Sequence, residues 1–283
     1  MPVPVDISAW KPAPFAVEGE TIFAVGDVHG CADELRTLLD AVGTSAAECP
    51  VGKRRLVFLG DMVDRGPDTI GALRLWSAEA REHGVDRIDR IIGNHEIMML
   101  LAGEGGPSAP KYEAMWLAGH SGGRAALEEM RTACQDPAAP PSHALFVSAL
   151  GEGIVRQLLT QRSHLRIGNT LFIHGGLDPK ADQATFLATP WTAGREARWA
   201  WINRGFLDWQ GGFGGTLVVH GHTPPAKHFP LTHMADPHLF LHDRLGLDGG
   251  SAVTGLVVGA EIQDGRYRIF KAGKRRAGSS GIP

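Results

Sequence analysis

Five short clusters hold the residues able to do chemistry, and each sets them beside glycine. They are Gly26-Asp27-Val28-His29-Gly30, Gly60-Asp61-Met62-Val63-Asp64-Arg65-Gly66, Gly93-Asn94-His95-Glu96, His174-Gly175-Gly176 and His220-Gly221-His222-Thr223. Asp27 and His29 offer a carboxylate and an imidazole from one tight turn, Asp61 adds a second carboxylate, and Asn94, His174 and His222 add neutral donors. A mixed carboxylate, imidazole and amide set suits borderline divalent ions such as manganese, iron and zinc, whereas a soft thiolate site would need cysteine. So many anionic and imidazole donors can hold two ions with one carboxylate bridging. Such pairs, about 3.5–4 Å apart, clamp the attacking and leaving oxygens of an in-line displacement.

Each cluster has a plainer reading. Gly93-Asn94 makes a turn in which Asn94 caps the following helix. Asp61 and Asp64 belong to an acidic turn ending at Pro67, with Arg65 in a surface ion pair of little worth. His174 is a satisfied core histidine, and His220 is structural or supports its neighbours. What counts against these readings is position. Each cluster closes a short β-rich run: Thr21–Val25, Arg55–Leu59, Arg87–Ile92, Thr170–Ile173 and Thr216–Val219. In open α/β sheets ligands gather where strands end and helices begin. Helical segments at 31–42, 69–83 and 96–102 follow the first three runs, which is the alternation of an α/β sheet.

Between about 103 and 166 the texture turns helical, in "KYEAMWLAG", "GGRAALEEMRTAC" and "HALFVSALGEGIVRQLLTQR", broken by glycine and proline. This reads as a cap-like insertion between two halves of the sheet structure, within a single domain spanning 1–283. The closing stretch reads as hairpins turning at Asp264-Gly265, followed by a basic, flexible tail from about 273. The four histidines at 228, 233, 238 and 242 fit no helix face or finger spacing and read as loop lining. Trp191, Trp199, Trp201 and Trp209 cluster before the last ligand strand. Core packing accounts for them, unless one lines the mouth and stacks on a nucleobase or a phosphotyrosyl ring.

Bulk properties narrow the class. The chain has 283 residues, 43% hydrophobic and 21% charged, with a formal net charge of −3. That balance gives no electrostatic case for nucleic acid as main partner or for a membrane surface. Three cysteines without finger spacing point to a reducing, cytoplasmic setting. The first fifteen residues lack a secretory pattern, and no apolar run approaches a bilayer span.

The ordered set "GDVHG", "GDMVDRG", "GNHE", "HGG" and "GHT" resembles the phosphoprotein phosphatase family of metallophosphoesterases. The likeness runs from about Thr21 to Leu256 and is nearest the bacterial branch, which includes lambda-phage-type serine/threonine phosphatases and symmetrical diadenosine tetraphosphatases. "WLAGHSGG" is similar to that family's Trp-Leu…Gly-Gly segment. The resemblance implies a four-layer αββα sandwich of two mixed sheets and two divalent ions, manganese being expected and iron or zinc possible. It implies that Asp27, His29 and Asp61 bind the first ion, that Asp61 bridges, and that Asn94, His174 and His222 bind the second. A hydroxide held between the ions would attack phosphorus directly, without a phosphoenzyme. His95 would be the general acid, Asp64 would orient it, and Arg65 would grip phosphate. A second phosphate-binding arginine is expected near "WINRGFLDW", where Asn203 stands in the family's arginine position and Arg204 follows it. Asp248, in "LDGG", is taken as structural.

On this reading the expected function is a serine/threonine, or dual-specificity, protein phosphatase acting on phosphoproteins or small phosphate esters. Symmetrical dinucleoside tetraphosphate hydrolysis is the alternative, and a catalytically weak scaffold a third. A narrow basic pocket with an aromatic shelf would favour the nucleotide; an open groove would favour protein.

Overall fold

The computed structural model describes residues 3–227 and 239–274. Histidines 228, 233 and 238 and the tail beyond 274 lie outside the described residues.

Two mixed sheets form the centre. The first contains β1 (Val5–Ile7), β2 (Lys11–Pro12), β3 (Thr21–Val25), β4 (Arg54–Phe58) and β5 (Arg87–Arg90). The second contains β6 (His164–Ile167), β7 (Thr170–Ile173), β8 (Leu217–His220), β9 (Leu239–Leu241) and β10 (Arg244–Gly246). The chain returns to the first sheet through the hairpin of β11 (Val257–Gln263) and β12 (Arg266–Ala272). Strand order is β1-β12-β11-β3-β4-β5, with β2 also on β12, and β6-β7-β8-β10-β9. Strands β3, β4 and β5 run parallel, as do β7, β8 and β10. Their carboxyl ends therefore open on the same side within each sheet.

Side-chain alternation fixes the layers. In β3, Ile22 and Ala24 point between the sheets, while Phe23 and Val25 face helices. The second sheet repeats the pattern: Phe172, Leu217 and Val219 face inward, and Leu171, Ile173 and Val218 face out. Strands buried on both faces read as continuous apolar runs for this reason.

Helices cover the outer face of the first sheet. Leu35, Leu38, Leu39, Val42 and Ala46 give α1 (Ala32–Ala46) one apolar stripe. Helix α2 (Thr69–Ser77) is capped by Asp68, whose carboxylate accepts the Gly71 N–H at 2.7 Å. Helix α3 (Asn94–Gly103) is buried along all ten residues. The insertion supplies α4 (Ala109–Trp116), α5 (Gly123–Cys134), α6 (His143–Leu150) and α7 (Glu152–Leu159), which pack on α2 and α3. The outer layer of the second sheet is thinner. It consists of α8 (Gln183–Ala188), 3-10 turns at Trp191–Glu196 and Arg198–Ala200, and α9 (Arg204–Leu207).

Two expected helices are broken. The one at 69–83 stops at Ala78, which is extended (ψ 158°), and resumes as a 3-10 turn at Ala80–His83 where Glu82 accepts the Glu79 N–H. The one at 143–162 divides at Gly151, whose φ of 86° no helix can carry. The hairpin turn at Asp264-Gly265 forms as expected. Among the described residues no helix is long and apolar enough to cross a membrane.

Candidate active site

The five clusters meet. Asp27 and His29 follow β3, and Asp61, Asp64 and Arg65 follow β4. Asn94 and His95 open α3 just after β5, while His174 and His222 follow β7 and β8. Nine described non-glycine residues have positive φ, and five of them are His29, Asp61, Asp64, Arg65 and His222. Backbone strain is thus concentrated where the clusters converge, the usual place for it to be tolerated.

Asp61 is the hub. Its Oδ1 accepts the His95 backbone N–H at 3.0 Å and lies 3.3 Å from His174 Nε2, while its Oδ2 lies 3.7 Å from His29 Nε2 and 3.9 Å from His95 Nε2. Asp27 faces His29 at 3.9 Å, and both its oxygens accept the His222 backbone N–H at 3.0 Å. Two donor groups, His29–Asp61–His95 and Asp61–His174–His222, each place their ligand-capable atoms within 4.8 Å of one another and share Asp61. Asn94 does not cap α3. Gly93 is the N-cap residue, and the Asn94 Oδ1 lies 3.0 Å from His174 Nε2.

Hydrogen bonds set the tautomers. His29 Nδ1–H donates to the Val63 carbonyl at 2.9 Å, and His95 Nδ1–H donates to Asp64 Oδ2 at 2.7 Å. Both Nε2 lone pairs therefore face the centre, where Arg65 donates to them from Nη1 (2.7 Å) and Nη2 (3.0 Å). His174 Nδ1–H donates to the Leu59 carbonyl at 2.8 Å, so its Nε2 needs a proton or a cation to face Asn94 Oδ1 and Asp61 Oδ1.

The electrostatics suit cations. Burial, then the Asp248 carboxylate, push Asp27 well above the usual carboxylate range. Burial opposes the charge on Asp61, but His174 and His95 outweigh it and hold this carboxyl well below that range. Burial likewise opposes an imidazolium at His174, yet Asp61 wins and raises it to about 10. We take the pair as charged, carboxylate against imidazolium. Burial, then the Arg65 guanidinium, hold His29 well below its ordinary value. Burial also lowers His95 to about 4 against the pull of Asp61, and burial followed by His174 lowers His222 to about 3. Asp27, Asp61, Asp64, Glu96 and Asp248 are all buried at 3% exposure or less. With Arg65 as the guanidinium facing them, such a cluster fits divalent ions well.

Glu96 was not singled out from the sequence. Fully buried, it accepts N–H groups from Asp61 (2.8 Å), Met62 (2.7 Å), Val63 (3.2 Å) and Gly93 (3.0 Å). It thereby locks the strained β4 loop onto α3, even though burial, then Asp61, raise it to about 7. Its place two residues after Asn94 was the available signal. His220 is buried with its ring edge-on to Phe206, and Asp248 accepts the Gly250 N–H at 2.7 Å.

A cavity of about 720 Å³ leads away from this cluster. Arg65, Asn94 and His95 form its inner end, while Lys111, Met115, His120, Arg195 and Trp201 line the rest. The Arg195 guanidinium lies over the Trp201 ring, 4.8 Å from its centroid. Of the clustered tryptophans, Trp199 is fully buried and Trp201 is the one on the cavity. Arg204 is not among the lining residues. It opens α9, exposed, with its backbone N–H held by Asn203 Oδ1. His242 sits in the exposed β9–β10 turn at a φ of 50°.

A family model described as calcineurin-like phosphoesterase matches residues 20–248. A symmetrical bis(5'-nucleosyl)-tetraphosphatase of Nitrosospira multiformis is 38% identical over 84 residues, covering 30% of this chain and 27% of that protein. One from Pseudomonas fluorescens is 38% identical over 81 residues, covering 28% and 25%. The match thus spans about a quarter of either relative's length. Among solved structures, a cold-active protein-tyrosine phosphatase of a psychrophilic Shewanella superposes at TM-score 0.50 and 17% identity, covering 88% of this chain and 79% of that one. At that identity the likeness speaks to the fold alone.

Proposed function

Since this chain belongs to the calcineurin-like phosphoesterase family, we propose that it is a metal-dependent hydrolase of small nucleotide polyphosphates, with dinucleoside tetraphosphates as the substrate class. The observation that carries this reading is the cavity. Its size suits a small molecule, and Lys111, Arg195 and His120 line it beyond Arg65 with Trp201 beside them. Lys111 and Arg195 beyond Arg65 match a chain of phosphates better than one phosphoserine, and an aromatic partnered by arginine offers a surface for a base. The names of the aligned relatives point the same way, over the matched stretch only.

In this proposal Asp27, His29 and Asp61 hold one divalent ion, and Asp61, Asn94, His174 and His222 hold a second, manganese being the expected metal. When bound, the ions supply Lewis-acid charge to the phosphoryl oxygens and lower the pKa of a water. Arg65 grips the phosphate under attack; once the His29 lone pair is engaged, its Nη1 is free for a phosphate oxygen. His95 protonates the leaving oxygen from Nε2 while Asp64 holds Nδ1–H. Burial lowers this imidazole to about 4, and the negative charge of a bound phosphate favours the imidazolium that donation requires.

The test is kcat/KM on diadenosine tetraphosphate and on phosphoserine and phosphotyrosine peptides, using one metal-stripped preparation reconstituted with Mn²⁺. Preference for the dinucleotide supports the proposal, and preference for a peptide replaces it with the protein-phosphatase reading. Hydrolysis of neither, with ions demonstrably bound, would leave a scaffold.

A further inference from the structure

The segment Trp116–Gly123 belongs to the insertion and holds none of the proposed ion ligands, yet it closes on the catalytic loop. The Trp116 indole N–H donates to both oxygens of Asp64, at 2.8 Å and 3.0 Å. Trp116 is fully buried at the end of α4, its ring edge-on to Phe146 at 6.1 Å. Six residues on, the Gly122 carbonyl accepts the Arg65 backbone N–H at 3.3 Å. Between them the Ser121 hydroxyl donates to the Met115 carbonyl at 2.8 Å and folds the segment back on its helix.

Both glycines are there for contact. A Cβ on Gly123 would stand 2.4 Å from the Trp116 indole nitrogen. One on Gly122, whose φ is 81°, would meet Arg65 Cγ at 2.5 Å and the Arg65 backbone nitrogen at 2.9 Å. The indole can reach Asp64, and the chain can reach Arg65, only because no side chain intervenes. The residues so gripped, Asp64 and Arg65, have φ of 74° and 65°, a conformation that persists only when its surroundings enforce it.

We propose that Trp116 is a positioning residue for proton delivery: its indole fixes the Asp64 carboxylate, which holds His95 toward the leaving oxygen. The inference rests on His95 being the proton donor, as in the function proposed above. Core packing alone would satisfy the Trp116 ring but would not require its N–H to straddle both oxygens of this one carboxylate. The insertion therefore shapes the cavity and also completes the catalytic pair.

The experiment compares phenyl phosphate, a poor leaving group, with p-nitrophenyl phosphate, a good one, on Mn²⁺-loaded enzyme. Trp116→Phe keeps an aromatic ring and removes the donor. It should lower kcat/KM on phenyl phosphate by about 10–100-fold while changing the p-nitrophenyl ester less than about threefold, with bound metal unchanged. In an Asp64→Asn background the same substitution should add little, since the two act as one unit. His95→Asn is the control. If it slows both esters equally, the proton-donor reading fails; if it discriminates and Trp116→Phe does not, only the present inference fails. Should Trp116→Phe not fold, the Trp116 indole ¹H–¹⁵N resonance of the otherwise intact chain must shift on Asp64→Asn substitution. An unmoved resonance overturns the proposal.

Discussion

The two walls of the cavity are built differently. The inner wall is built at five strand ends; its donors are buried, and His29, Asp61 and His222 are strained. Asp27, His29, Asp61, Asn94, His95 and His174 all show 6% exposure or less, and each is held by a backbone or side-chain hydrogen bond. The outer wall is made of helix, 3-10 and turn residues. Lys111, His120 and Arg195 stand exposed on it. A wall that must present charge in one geometry is paid for in buried polar contacts, whereas a wall that recognises can use long, adjustable cations such as Lys111 and Arg195. The difference fits the proposed division, chemistry for the first and selectivity for the second.

Substitutions should separate the two roles, and Asp61→Asn on the inner wall should do so most sharply. Losing the shared carboxylate should cost roughly a thousandfold or more in kcat, several kcal/mol of transition-state stabilisation, together with loss of bound metal by elemental analysis. Retained metal and near-normal kcat would break the comparison outright. Next comes His95→Asn, expected to cost about 10²–10⁴-fold on substrates with poor leaving groups, with metal content intact.

On the outer wall, Lys111→Ala and Arg195→Ala should each raise KM for diadenosine tetraphosphate by about tenfold, the worth of one charge-assisted contact. Turnover of p-nitrophenyl phosphate should stay unchanged; a kcat loss on both substrates would move these residues to the inner wall. Proton linkage is a finer probe. His174 is raised to about 10 in the metal-free chain, above the ordinary histidine value near 6.5. Its imidazolium therefore stabilises that chain fully below about pH 6.5, and the contribution is lost as pH rises through about 10. Metal binding at pH 7 should displace that proton and tighten with pH, as titration calorimetry in buffers of different ionisation enthalpy would read. The smallest effect is expected from Arg204→Ala, less than about twofold in kcat/KM, because an exposed side chain off the cavity contributes little. A larger loss would return Arg204 to the phosphate-gripping role that the sequence suggested.

Much of the inner wall was legible. Apolar runs ending in glycine and a polar residue follow from local rules, since a parallel strand buried on both faces is continuously apolar and a strained turn at its end favours glycine. The plain alternative for Asn94, a helix cap, is not what forms, because Asn94 is already the first helical residue and its Oδ1 faces His174 Nε2 at 3.0 Å. The outer wall was legible only as a region, the insertion and the tryptophan segment, with its contact residues unmarked. Nothing in "KYEAMW" marks Lys111 as facing the cavity, and Arg195, nine residues before Arg204, sits beside Trp201 through a 3-10 turn kinked at Gly194. Helix periodicity predicts which face is apolar but not what that face will meet.

By itself, then, the sequence determined the strands, their glycine-rich ends and the chemical kind of donor at each, because these depend on neighbours a few residues apart. Tertiary structure decided which donors share a centre and what holds them there. His174 meets Asn94 across 80 residues, Trp116 meets Asp64 across 52, and Glu96 reaches the Asp61 N–H across 35. Those contacts come from the stacking of two sheets and a helical insertion. Stacking is set by how whole faces pack, and no local spacing encodes that.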